Sequence, residues 1–102
     1  MTREIITRTI IDLNQSMKKD QIFQVNLGIF MRNVRLKKRK TQTDVAEKIQ
    51  VTFQQVQKYE CGMNTIGIIN LHKFCVLTDS DINTFFEDLT KYDAKLEDHR
   101  EE

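Results

Sequence analysis

Val51-Thr-Phe-Gln-Gln-Val-Gln-Lys-Tyr-Glu60, followed by Cys61-Gly62, decides how this sequence is read. Thr52-Phe-Gln-Gln55 is a T-x-x-Q capping box, in which the Thr52 hydroxyl meets the backbone amide of residue 55 while Gln55 reaches back to the cap. A helix therefore starts there. Gly62 supplies the left-handed conformation that stops it. At about 100° per residue from Val56, taken as the inward direction, Thr52, Tyr59 and Glu60 fall within about 60°, whereas Gln54 and Lys58 point about 160° away. Gln55 and Gln57 flank the outer side. The helix turns amides and one cation outward, and a glutamine amide can pair bidentately with adenine N6 and N7. Phe53 either meets a thymine methyl or covers the rim of the core.

Immediately upstream, Thr41 or its neighbour can cap a helix of about eight residues carrying Val45, Ala46 and Ile49 at helical spacing. Two short helices joined by a tight turn, the second polar on its outer face, have helix-turn-helix geometry. Before them the periodicity predicts a helix from Phe23 to Lys38 with Leu27, Met31 and Val34 on one side. Its end, Arg32-Asn-Val-Arg-Leu-Lys-Lys-Arg-Lys40, places six cations in nine positions. Alone, such a run is a solvated helix end facing the negative pole of its own dipole; beside a helix-turn-helix it becomes a phosphate contact. A polar break at Lys18-Lys-Asp-Gln21 separates this helix from an N-terminal one with Ile6, Ile10, Leu13 and Met17 on one face. That two-heptad seam either packs on its own domain or meets a second copy.

Downstream, Asn64 or Thr65 caps a helix carrying Ile66, Ile69, Phe74 and Leu77. A last helix starts near Ile82, with Phe85, Leu89, Tyr92 and Leu96 stepping by four, three and four, and frays after Asp98. The resulting fold class is all-α, with a domain order of 1–21 as a helical extension, 22–89 as the helix-turn-helix domain and 90–102 as an acidic helical tail.

Composition agrees. The 102 residues fit one domain, and no proline with only three glycines excludes a sandwich or barrel of many short strands. No apolar run is long enough to span a membrane and the start lacks the pattern of a signal peptide, so a soluble, cytoplasmic protein is expected. Residues 1–78 hold 13 Lys and Arg against 6 Asp and Glu, a net +7; residues 79–102 hold 3 against 9, a net −6. A basic body with an acidic tail suits a body that meets a polyanion. Cys61 and Cys75 form no CxxC, and His72 and His99 are not spaced to complete a zinc site, so idle thiols and no metal or cofactor are expected. Without a P-loop, GxSxG or HExxH the chain is not read as an enzyme, and no small-molecule substrate is expected.

The string Gln42-Thr-Asp-Val-Ala-Glu-Lys-Ile49, then Val51 to Glu60 and Gly62, resembles the phage-repressor/Cro (XRE) family of helix-turn-helix regulators. The resemblance extends over about residues 27 to 89, taking in Leu27-Gly28, Arg32, Arg35 and Phe85-Phe-Glu-Asp-Leu89. It implies a lambda-repressor-like five-helix DNA-binding domain whose third helix enters the major groove while the second crosses the backbone. Here the domain has an additional N-terminal helix and an extended C-terminal one. The implied function is sequence-specific binding of double-stranded DNA by a homodimer acting as a transcriptional repressor. The alternative is a helical protein-binding module, antitoxin-like or a co-regulator subunit, reusing the fold.

By the same resemblance, Gln42, Thr52, Phe53, Gln54 and Lys58 belong to the DNA-reading set, with Gln42 contacting phosphate and bracing the recognition helix; Gln55 and Gln57 join the set from their place flanking the outer side. Lys58 takes either phosphate or guanine. Asn64 and Thr65 are phosphate contacts implied by the resemblance, the basic run adds Arg35, Lys38, Arg39 and Lys40, and by the resemblance Arg35 also pairs with Glu60 in a semi-buried salt bridge. The chain departs from the family where Gln50 replaces a glycine: either Gln50 turns left-handed or the turn differs. Lys40 stands where an apolar residue usually anchors the turn, and Thr78 and Ser80 also replace usually apolar residues, which predicts loose packing between the fourth and fifth helices.

Overall fold

The computed structural model describes residues 3–101, with side chains over 16–95. Among these residues the chain forms five helices and no strand: α1 (Arg3–Lys37), α2 (Gln42–Ile49), α3 (Phe53–Glu60), α4 (Ile68–Leu77) and α5 (Ile82–Glu101). None is long and apolar enough to cross a membrane.

The expected break at Lys18–Gln21 does not occur. Those four residues are exposed and helical, and α1 runs through them as one helix of 35 residues, about 52 Å long at 1.5 Å per residue. Lysine and glutamine are good helix formers, so a polar run without glycine or proline does not end a helix. The N-terminal extension is thus continuous with the first helix of the domain, and residue 21 lies inside α1. The side chains of Ile6, Ile10, Leu13 and Leu96 lie outside the described residues. At the other end α5 continues past Asp98 to Glu101.

The core is built from all five helices. Leu27 and Met31 of α1, Val45, Ala46 and Ile49 of α2, Val56 and Tyr59 of α3, Leu71, Phe74 and Cys75 of α4, and Phe85 and Leu89 of α5 are buried together with Ile66. Phe85 joins two sides of it, edge-on to Phe30 at 5.0 Å and to Phe74 at 6.2 Å between ring centroids. Burial raises the Cys75 thiol above its ordinary pKa, with a smaller push from Asp81.

α4 starts later than its apolar spacing predicts. It begins at Ile68 behind Gly67 as N-cap, with no side-chain cap, so Asn64 and Thr65 belong to the preceding loop. Ile66 is buried, but from that loop, while Ile69 is 71% exposed. Thr78 is buried despite its hydroxyl, which donates to the Phe74 carbonyl at 3.0 Å and lies 2.9 Å from Ser80 Oγ. The polar atom is satisfied locally, so the core closes over it.

α2 starts with a full capping box: Thr41 Oγ1 accepts from Asp44 N–H at 3.0 Å and Asp44 Oδ2 from Thr41 N–H at 2.8 Å. The Thr41 backbone N–H, and after it the Thr41 hydroxyl, hold the Asp44 carboxyl below its ordinary value of 3.8. α1, α2, α3 and α4 then end alike. The N–H of Lys40, Val51, Met63 and Ser80 each donates to the carbonyl five residues back, at 3.0, 3.1, 2.9 and 2.8 Å. The residue before each donor is left-handed, with φ of 57° at Arg39, 59° at Gln50, 75° at Gly62 and 52° at Asp79. Gln50 thus makes the tight turn between α2 and α3 in a conformation that glycine adopts more easily.

Candidate nucleic-acid interface

α3 is fixed from behind. A Cβ on Gly28 of α1 would lie 2.4 Å from the Tyr59 carbonyl oxygen and 2.7 Å from that of Glu60, so only glycine lets α1 approach the end of α3 this closely. On the same side Arg35 and Glu60 form a two-pronged ion pair, Nε to Oε2 at 2.8 Å and Nη2 to Oε1 at 3.0 Å, with side chains 8% and 4% exposed. Arg35 Nη1 also donates to the Lys40 carbonyl at 3.0 Å, and Gln42 Nε2 donates to Glu60 Oε1 at 3.0 Å. One carboxylate therefore gathers α1, α2 and α3, and no described buried polar side-chain atom lacks a partner.

With Val56, Tyr59 and Glu60 facing inward, Gln54, Gln57 and Lys58 face solvent, and Phe53 is 42% exposed. Arg32, Arg35, Gln42, Gln54, Gln57, Lys58, Glu60, Cys61 and Met63 line one open cleft of about 730 Å³. Arg35 and Glu60 neutralise each other, so Arg32 and Lys58 give the cleft its positive charge. Arg35 cannot hold both roles read for it: buried and bonded to Glu60 and Lys40, it belongs to the frame and not to the phosphate-facing surface.

Thr52 caps α3, its hydroxyl accepting from Gln55 N–H at 3.1 Å. The return half of the capping box is not made. Gln55 Nε2 instead donates to Asn64 Oδ1 at 3.3 Å, tying α3 to the loop that follows it. Thr65 in that loop donates its hydroxyl to Gln24 Oε1, and Gln24 Nε2 donates to the Gly62 carbonyl at 2.6 Å. Lys38 and Arg39 are exposed beyond the end of α1, and Lys40 is half-buried. Phe53, Lys38, Arg39, Asn64 and Thr65 lie outside the cleft lining.

Of the residues on this surface, Arg32 belongs to the basic run already read as a phosphate contact, whereas Gln24 escapes sequence reasoning. Arg32 stands three positions before Arg35 in the basic run, and that spacing is the signal that places both on one side of α1. Gln24 offers no local signal, since its partners lie 38 and 41 residues away.

A short helix, a left-handed corner and a second helix held rigidly with its amides outward define a helix-turn-helix domain of the DNA-binding class. The chain belongs to the XRE-type helix-turn-helix family, whose helix-turn-helix pattern matches residues 31–85. It is 36% identical over 74 residues to the uncharacterized HTH-type transcriptional regulator y4wC of Sinorhizobium fredii, a match covering 72% of this chain and 52% of that protein. It is likewise 36% identical over 74 residues to the uncharacterized HTH-type transcriptional regulator RC0668 of Rickettsia conorii, covering 71% and 59%. The chain spans about half the length of the curated relatives it matches. Among solved structures, the wild-type restriction-modification controller protein C.Esp1396I shares the fold with a TM-score of 0.64, at 23% identity over 72% of this chain and 95% of that one.

Proposed function

We propose that this chain is a transcriptional regulator, a repressor, that binds double-stranded DNA sequence-specifically as a homodimer and reads the major groove with α3. The observation that carries the reading is the outward row Gln54, Gln57 and Lys58 on a helix whose inner face is locked by the Arg35–Glu60–Gln42 network. In this reading Gln54 and Gln57 present amides to base edges, Phe53 meets a thymine methyl, and Lys58 takes phosphate or guanine. Lys38, Arg39 and Lys40 contact phosphates and set the register, joined by Asn64 through its side-chain amide hydrogens and by Thr65 through its backbone N–H, its hydroxyl being given to Gln24. Gln42 uses one amide hydrogen on Glu60 and has a second for phosphate. Thr52 and Gln55 hold the start of α3 and its loop in place.

The homodimer draws support from an exposed apolar face on α4 and α5, where Ile68, Ile69, Val76 and Phe86 are 62, 71, 54 and 40% exposed. Pairing two modules on half-sites one helical turn apart raises affinity and specificity together.

Selection from a random duplex pool, with a Gln54→Ala/Lys58→Ala control, tests the reading. An enriched inverted repeat that the control loses is the expected result; no enrichment at low salt overturns it in favour of a protein-binding module. On the enriched site, Gln54→Ala relaxes base preference, while Lys38→Ala weakens all duplexes alike and lowers the slope of log affinity against log salt by about one.

A further inference from the structure

The loop from Cys61 to Gly67 crosses α1 at Gly62, where a Cβ would lie 2.7 Å from the Val25 Cα. Its first half is held by backbone bonds, from Gly62 N–H to Tyr59 and from Met63 and Asn64 N–H to Lys58. From Thr65 to Gly67 the backbone N–H groups make no such bond to another carbonyl, and the loop hangs on side chains. Burial of Ile66 fixes one point. The amide of Gln24 fixes the other: its nitrogen grips the Gly62 carbonyl and its oxygen receives the Thr65 hydroxyl, so one planar group sets the separation between residues 62 and 65. Gln55 acts in parallel on Asn64. The two residues proposed to meet phosphate from this loop are thus each held by a glutamine, one from α3 and one from α1.

We propose that Gln24 is a positioning residue for DNA binding, which holds the loop after α3 in its phosphate-contacting shape before DNA arrives; this rests on the function proposed above. The mechanism is preorganisation. Without the strap, Thr65 and its neighbours must be ordered on binding, and that ordering cost is subtracted from affinity whatever the base sequence. Because Asn64 and Thr65 are uncharged, their phosphate contacts release no counterion, so the salt dependence stays with the lysines and arginines.

The test is anisotropy titration of a fluorescent duplex carrying the selected site, and of an unrelated duplex, across a salt series well below each variant's melting temperature. Gln24→Met keeps the length of the side chain and removes both hydrogen bonds. It is expected to bind both duplexes about tenfold more weakly, with the wild-type salt slope and base preference, a combination that neither Lys38→Ala nor Gln54→Ala produces. Thr65→Val is expected to do the same, Thr65→Ser to restore binding, and the Gln24→Met/Thr65→Val double variant to lose no more than either single one. Wild-type affinity in Gln24→Met, even with a lowered melting temperature, overturns the proposal and leaves the DNA reading intact. Absence of duplex binding by the wild-type chain at low salt overturns both.

Discussion

The corner between α2 and α3 and the corner between α4 and α5 distribute polarity in opposite ways. At the first, a full charge is buried: Glu60 sits against Arg35 and Gln42, while amides and Lys58 are turned outward. At the second, the buried polar atom is a threonine hydroxyl satisfied by its own helix, and the outward residues are Ile68, Ile69, Val76 and Phe86. Buried ion pairs add little net stability but penalise every arrangement in which they separate. The first corner therefore specifies an orientation, whereas the second leaves apolar surface in water, which a second copy would remove.

This contrast can be broken in three places. The largest expected effect is at Glu60. Glu60→Ala strands the Arg35 charge in the core and is expected to cost about 3–5 kcal/mol in thermal or urea unfolding, against under about 0.5 kcal/mol for Gln54→Ala on the outer face of the same helix. Equal melting temperatures for the two variants would show that the pair does not fix the corner.

Gly28→Ala comes next. Alanine in a helix interior ordinarily gains up to about 1 kcal/mol over glycine, but here the added carbon meets two carbonyl oxygens and α1 must move off α3. A loss of about 1–3 kcal/mol is expected by denaturant titration. A gain would mean that the two helices are not in contact at this point.

The smallest change in stability belongs to the second corner. Ile69→Asp lies on exposed surface and is expected to shift unfolding of the monomer by no more than about 0.5 kcal/mol. Its effect is expected instead in sedimentation velocity, where the proposed dimer gives way to monomer. Persistence of the dimer would move the contact to another face.

How far the sequence reveals each corner follows from the same physics. The bounds of α2 and α3 are legible because their ends are written in short-range chemistry, Thr41 and Thr52 at the starts and Gly62 after the second. The outward residues of α3 follow from its eight-residue periodicity. α4 is not legible in the same way: Ile68, Ile69, Leu71, Phe74, Val76 and Leu77 are apolar on most sides, so spacing alone does not say that Ile69 faces water. The continuity of α1 through Lys18–Gln21 is hidden because a polar turn of helix and a polar loop have one composition. Gln24 and the bond from Asn26 Nδ2 to Asp93 Oδ1 at 2.6 Å are long-range contacts of uncharged amides, for which no local pattern exists.

Four helices end in the same five-residue-back bond, yet only one of the four left-handed positions is a glycine. Arg39 and Gln50 each carry about 1–2 kcal/mol of backbone strain, and Asp79, whose short polar side chain suits this region better, carries less, against a total stability of about 5–15 kcal/mol for a domain of this kind. The melting point of the molecule is therefore set at its bends as well as in its core. Glycine at Gln50 or Asp79 replaces neither Gln54, Gln57 nor Lys58, so it would raise heat tolerance by a few degrees and leave the outward row of α3 unchanged.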